Sequence, residues 1–180
     1  MSDRHLRVTD DTVLPTEPVA RADHSRYVQR IRRRYAPERD WFAEHQPGVP
    51  LAEPLKALIA HLRAGGRPLA SALRVARQLV LERLATLDVE AHAALADVTG
   101  AMTQLAEVTL DLALHEAQQE FDARHGQPLN AQGQRVDLWI VGMGKLGGRE
   151  LNVSSDIDLI YVYEDLSLIH ISEPTRPLYI

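Results

Sequence analysis

Asp156 and Asp158 stand one residue apart at the head of the run Asp156-Ile157-Asp158-Leu159-Ile160-Tyr161-Val162-Tyr163. Read as a strand from Asp156 to Tyr163, its period of two sends both carboxylates to one face. Such a pair repels itself and is costly to desolvate unless something cationic sits between its members. A divalent magnesium ion, or manganese, suits the position: it takes hard oxygen ligands and leaves room for water and phosphate oxygens. The plainer alternative is a pair of solvated aspartates at a strand start. Against that alternative stands the preceding run Gly142-Met143-Gly144-Lys145-Leu146-Gly147-Gly148, with Ser155 directly before Asp156. Glycines let backbone approach a polyphosphate, while N–H groups, a hydroxyl and a lysine hold its oxygens. Metal-held carboxylates can activate an attacking oxygen and steady a leaving one. The parts are those of nucleotidyl transfer.

Other readings of these residues fit less well. Gly142 to Gly147 matches G-x-G-x-x-G after a strand, but a dinucleotide fold needs a full helical crossover and a distant acidic residue. Only seven residues separate Gly148 from Asp156, which leaves space for a turn or two of helix. A Walker loop fails as well, because Lys145 precedes Gly147-Gly148 and leads to no Ser or Thr. The eight histidines form no His-x-His or His-x-x-x-His pair and read as ordinary surface or interface residues.

The elements that must position these groups are mostly helical. Tyr27, Ile31 and Tyr35 recur at four-residue steps from Ser25. Pro37 opens a short helix through Trp41 and Phe42 that stops before Pro47-Gly48. A third helix carries Leu55, Leu58, Ile59 and Leu62 and ends at Gly65-Gly66. Pro68 opens a fourth, with Leu69, Leu73, Ala76, Leu79, Val80 and Leu84 along one side. Asp88 is expected to cap a long fifth helix to about His125, with Leu95, Val98, Met102, Leu105, Val108 and Leu112 facing the core and Gly126 ending it. Residues 136–141 are apolar and β-rich, a buried-strand signature preceding the glycine run. The arginine run Arg30–Arg34 reads as a solvated helix face rather than a docking patch.

Composition sets outer bounds. The chain has 180 residues, 45% of them apolar, which suffices for a hydrophobic core. Its 20 basic and 25 acidic residues give a net charge of −5, a poor basis for general nucleic-acid binding. It has no cysteine, hence no disulfide, thiolate metal site or cysteine nucleophile. No stretch reaches the roughly 18 apolar residues of a membrane span, and the polar start leads into no apolar signal region. The expectation is a soluble, cytoplasmic protein that binds neither nucleic acid nor membrane.

The small-residue loop followed by Asp-x-Asp resembles the polymerase-beta-like nucleotidyltransferase superfamily. More specifically, Gly142 to Glu164, Ser25 to Tyr35 and the run RVARQLVLERLATLD are similar to the bifunctional family that adds AMP to glutamine synthetase and removes it. That resemblance implies an α+β protein: an N-terminal all-helical region, then the first strands of a nucleotidyltransferase domain, truncated. The family has an adenylyl-removing N-terminal half and an adenylylating C-terminal half. A motif about 140 residues after Met1, behind a helical region, corresponds to the removing half. The implied reaction is phosphorolysis, in which phosphate attacks an adenylyl-tyrosine and ADP leaves. By position, Asp156 and Asp158 would be catalytic and hold magnesium. Gly147, Gly148 and Ser155 would line the nucleotide and phosphate site, and Lys145 would neutralise it. Implied partners are glutamine synthetase, the PII signalling protein, nucleotide and phosphate.

The expected organisation is a mobile tail over residues 1–23, a helical region over 24–126, and the opening of the nucleotidyltransferase domain over 127–165. From Leu166 the run LSLIHISEPTRPLYI departs from the family and looks like translated adapter sequence. All 22 alanines lie at or before Ala131, so residues 166–180 are expected to be a non-native tail. The superfamily's third carboxylate, from a later strand, does not appear. A non-catalytic helical interaction module, or an inert truncated fragment, is therefore the alternative to a working enzyme.

Overall fold

The computed structural model describes residues 21–130 and 132–163. Helices come first: a 3-10 turn Ala22–His24, then α1 (Arg26–Arg34), α2 (Ala36–His45), α3 (Ala52–Ala64), α4 (Leu69–Ala91) and α5 (Leu95–His125). They are followed by β1 (Leu138–Gly142), a single helical turn α6 (Gly144–Gly147) and β2 (Leu159–Tyr163). The architecture is α+β, mostly helical with a small antiparallel sheet.

Local chemistry accounts for most boundaries. Ser25 caps α1, its side chain accepting from the Val28 amide at 3.5 Å. Pro37 lies in the first turn of α2, where its missing N–H costs nothing. Gly66, at φ 86°, turns the chain out of α3. Asp88, expected to start a new helix, instead lies inside α4. Nothing before it breaks the i→i−4 ladder, and the chain leaves the helix only at His92, in the left-handed region at φ 50°. There the Ala93 amide closes onto the Leu87 carbonyl at 3.1 Å. Leu95 consequently opens α5 at its exposed end, 75% accessible, rather than facing the core.

α4 lies centrally, packed against α1, α3 and α5. Leu55, Leu58, Ile59 and Leu62 of α3 meet Val75, Leu79 and Val80 of α4 and Met102, Leu105 and Val108 of α5 in one buried cluster. The fully buried Thr103 spends its hydroxyl on the Thr99 carbonyl at 2.9 Å. Residues 21–23 are not part of a loose tail. Ala22 is buried and its amide donates to Glu90 Oε1 at 3.0 Å, while Asp23 pairs with Arg32. The other expectations for residues 1–20 and 166–180 fall outside the described residues.

Arg32 also departs from the solvated-face reading of Arg30–Arg34. Arg30, Arg33 and Arg34 are exposed, but Arg32 turns inward and donates to Glu82 Oε1 at 2.5 Å and Thr86 Oγ1 at 2.8 Å of α4. The Glu82 side chain is only 6% exposed. His45 and His61, by contrast, lie at the surface as expected, where both stack on a tryptophan. The Trp41 ring is stacked by His45 at 3.9 Å and by His61 at 4.4 Å between centroids.

The strands pair in the register Leu138↔Tyr163 to Gly142↔Leu159. Both are shorter than their apolar runs. Val136 instead donates its amide to the Pro128 carbonyl at 2.8 Å, which holds residues 136–137 away from the sheet. Directly opposed residues share a face, so Trp139 and Val141 lie with Val162 and Ile160. That face is only partly covered, with Trp139 51% exposed. The buried strand expected over residues 136–141 is thus no more than half-buried: Leu138 and Ile140 are partly covered, Trp139 and Val141 are exposed, and Tyr161 and Tyr163 of the partner strand are exposed on the other face.

Candidate functional site

The glycine run folds into the turn that ends β1. Leu146 and Leu151 anchor it in the helical core. Arg149, in the left-handed region at φ 59°, reaches Glu107 of α5 with N–H···O distances of 2.7 and 3.4 Å. Two glycines are demanded by this closure. A Cβ on Gly147 would sit 2.5 Å from the Gly142 carbonyl oxygen, and one on Gly142 would sit 2.7 Å from the Leu146 side chain. A Cβ on Gly148 would be 3.4 Å from the Gly144 oxygen.

The amides of this turn are largely spent on the turn itself. Gly147 donates to the Met143 carbonyl at 3.2 Å and Gly148 to the Gly144 carbonyl at 2.9 Å. Leu146 and Arg149 are likewise bonded within it. Free amides at Gly147 and Gly148, expected for a phosphate cradle, are therefore not what the folded turn presents. Its glycines give space and close approach instead.

Side-chain donors gather beside it. Lys145 Nζ lies 3.4 Å from Ser155 Oγ, which brings together two residues singled out in the sequence. Ser155 Oγ lies 2.7 Å from Asn152 Oδ1, and that oxygen also accepts from the Ser154 amide at 3.2 Å. Asn152 was not picked out by residue type. Its signal was the spacing Asn-x-Ser-Ser, which allows an Asx turn two residues on.

Asp156 and Asp158 precede β2 rather than lying on it. The partner strand stops at Gly142 and bends into the glycine turn, so the ladder ends there. Beyond it, one bond persists, from the Met143 amide to the Asp158 carbonyl at 2.9 Å. Both aspartates are exposed, and neither carboxylate has a hydrogen-bond or ion-pair partner among the described residues. Asp156 rims a cavity of about 230 Å³ with Met102, Leu105, Leu151 and Ser155, whereas Asp158 is not part of its lining.

Each exposed carboxylate keeps hard-oxygen lone pairs of the kind magnesium takes, an ion that retains several waters and needs only one or two carboxylates plus substrate phosphates. An all-protein cage does not fit: among the described residues no three His, Asp or Glu side chains converge.

A family model described as glutamate-ammonia ligase adenylyltransferase matches residues 36–172. Three proteins named bifunctional glutamine synthetase adenylyltransferase/adenylyl-removing enzyme are similar to the chain. That of Burkholderia mallei is 50% identical over 109 residues, covering 58% of the chain and 12% of the relative. Those of Aromatoleum aromaticum and Ralstonia nicotianae are 40% and 42% identical, each covering 79% of the chain and 16% of the relative. The chain therefore spans less than one fifth of the length of these relatives.

Proposed function

The chain belongs to the glutamate-ammonia ligase adenylyltransferase family, and on that premise we propose that it carries part of a nucleotidyltransferase site acting on adenylylated glutamine synthetase. The single observation behind this reading is the pair of unpartnered carboxylates, Asp156 and Asp158, beside the Lys145–Ser155 contact. The direction is adenylyl removal, because a helical layer followed by this motif resembles the family's N-terminal half. Phosphate attacks the phosphorus of the adenylyl-tyrosine, a P–O bond to phosphate forms, the P–O bond to tyrosine breaks, and the phenolate takes up a proton. ADP and unmodified tyrosine result.

Lys145 offsets the charge of the incoming phosphate, and the glycine turn allows backbone to approach it. Asp156 and Asp158 would hold magnesium, which when bound supplies charge stabilisation to the phosphoryl oxygens. Catalysis of this kind is mostly positioning and electrostatics. The second reading, a non-catalytic helical module, draws on the absence of a third converging acid among the described residues. Regulation of the site through the PII protein belongs to the proposal by family resemblance alone.

The test is phosphate-dependent ADP release from adenylylated glutamine synthetase. A polypeptide of the relatives' length containing this chain should release ADP, and its Asp156→Asn and Asp158→Asn forms should not. The 180-residue chain alone should release none and bind magnesium or manganese weakly. In that chain the double Asp→Asn variant should unfold at an unchanged temperature, since neither carboxylate packs. Full activity in the longer double variant would overturn the metal assignment.

A further inference from the structure

The geometry points to Asn152 as a positioning residue that aims the Lys145 ammonium at its ligand through the Ser155 hydroxyl; this rests on the nucleotidyltransferase reading of the site. The direction of every hydrogen bond in the chain Asn152–Ser155–Lys145 is fixed by chemistry. The Ser154 backbone N–H can only donate, and it reaches one side-chain atom of Asn152 at 3.2 Å. That atom must be the carbonyl oxygen, which settles the amide's orientation. An amide oxygen can only accept, so the Ser155 hydroxyl, 2.7 Å away, spends its proton on Asn152. Ser155 Oγ then has only lone pairs left. Lys145 Nζ, 3.4 Å distant, can only donate to them.

Two consequences follow. Ser155 does not meet a phosphate as a donor while this chain is intact; it is an acceptor that orients Lys145. And Lys145, with three N–H donors, gives one to Ser155 and keeps two for ligand oxygens. Asn152 thereby decides which way an exposed, four-carbon side chain points. It does so from the loop between Leu151, which is buried, and the two aspartates.

The chain has only two lysines, Lys56 and Lys145, so lysine-selective 13C/15N labelling yields two side-chain signals. Lys56, paired with Glu53 at 2.9 Å, serves as internal reference. Without ligand, Asn152→Ala and Ser155→Ala should both move the Lys145 signal toward that of an unattached lysine, while Ser155→Thr should keep it. Asn152→Asp retains an acceptor and should also keep Lys145 attached, although its added charge weakens phosphate binding. Titrated with inorganic phosphate or ADP, the Lys145 signal of the alanine variants should report binding weaker by about tenfold.

An Asn152→Ala variant with Lys145 at its wild-type position overturns the proposal. So does a loss of phosphate binding in Ser155→Ala without one in Asn152→Ala, which would place the serine hydroxyl on the ligand itself. A wild-type Lys145 signal that ignores both phosphate and ADP counts against the nucleotidyltransferase reading, and the ligand-free shifts then still decide the role of Asn152. An unmoved Lys56 signal and thermal midpoint show that each variant folds.

Discussion

A methyl group at position 147 has nowhere to go. It would press to 2.5 Å against the Gly142 carbonyl oxygen, a backbone atom that yields only if the turn opens. Gly147→Ala should therefore cost about 1–3 kcal/mol. Gly148→Ala, at 3.4 Å from the Gly144 oxygen, needs a shift of only tenths of an ångström and should cost less. Urea denaturation of both variants checks the order, and equal losses would remove the steric account. These glycines were legible as residues but not as causes. A run of Gly beside Lys reads as room for a ligand, whereas Gly147 is required first by the turn's own closure. The Asp156–Asp158 pair was equally visible. That it precedes the strand was not, because a ladder ends where its partner bends, and the last partner, Gly142, pairs with Leu159 from far earlier in the chain. Asn152 escaped notice because its work is local hydrogen bonding, which residue type alone does not reveal.

Between helices, one buried pair ties α1 to α4. Glu82 is nearly inaccessible and its partner Arg32 is mostly covered. Removing the acid leaves the guanidinium with Asp23 and the Thr86 hydroxyl as its remaining partners, so Glu82→Ala should destabilise by about 1.5–3 kcal/mol, read as a shift in urea midpoint. A change under about 0.5 kcal/mol would mean that the pair behaves as a surface contact. The same two helices carry a titratable seam. Tyr27 donates to Gln78 Oε1 at 2.9 Å, and burial raises its pKa above 10.0, against the opposing pull of Arg77 and Arg30. A raised phenol favours the folded state up to the ordinary tyrosine pKa and loses that contribution as pH rises through the folded value. Thermal midpoints should therefore fall above pH 10, and Tyr27→Phe should flatten that part of the profile. An unchanged slope in Tyr27→Phe would assign the alkaline loss to other groups. Helix existence was readable from apolar spacing throughout α1 to α5. A break between α4 and α5 was readable too, but its place was not: it falls at His92 rather than Asp88, because it rests on one left-handed residue.

Taken whole, the molecule is a packed helical layer with a two-stranded ribbon at its end. One face of that ribbon presents Trp139 and Val141 beside Ile160 and Val162, with both outer strand edges unpaired among the described residues. Unpaired edges beside apolar surface invite association. Light scattering should rise with protein concentration, and Trp139→Lys should suppress the rise while leaving the helical signal in circular dichroism intact. Scattering that Trp139→Lys does not alter would place the association elsewhere. The chain's two tryptophans occupy opposite settings in this arrangement. Trp41 is flanked on both faces by imidazole rings within the helical layer, and Trp139 stands half in solvent on the ribbon. Indole emission should accordingly divide into a fraction that dissolved acrylamide reaches readily and a fraction shielded from it. Melting of the ribbon and melting of the helices then become separable optical events in a single unlabelled sample.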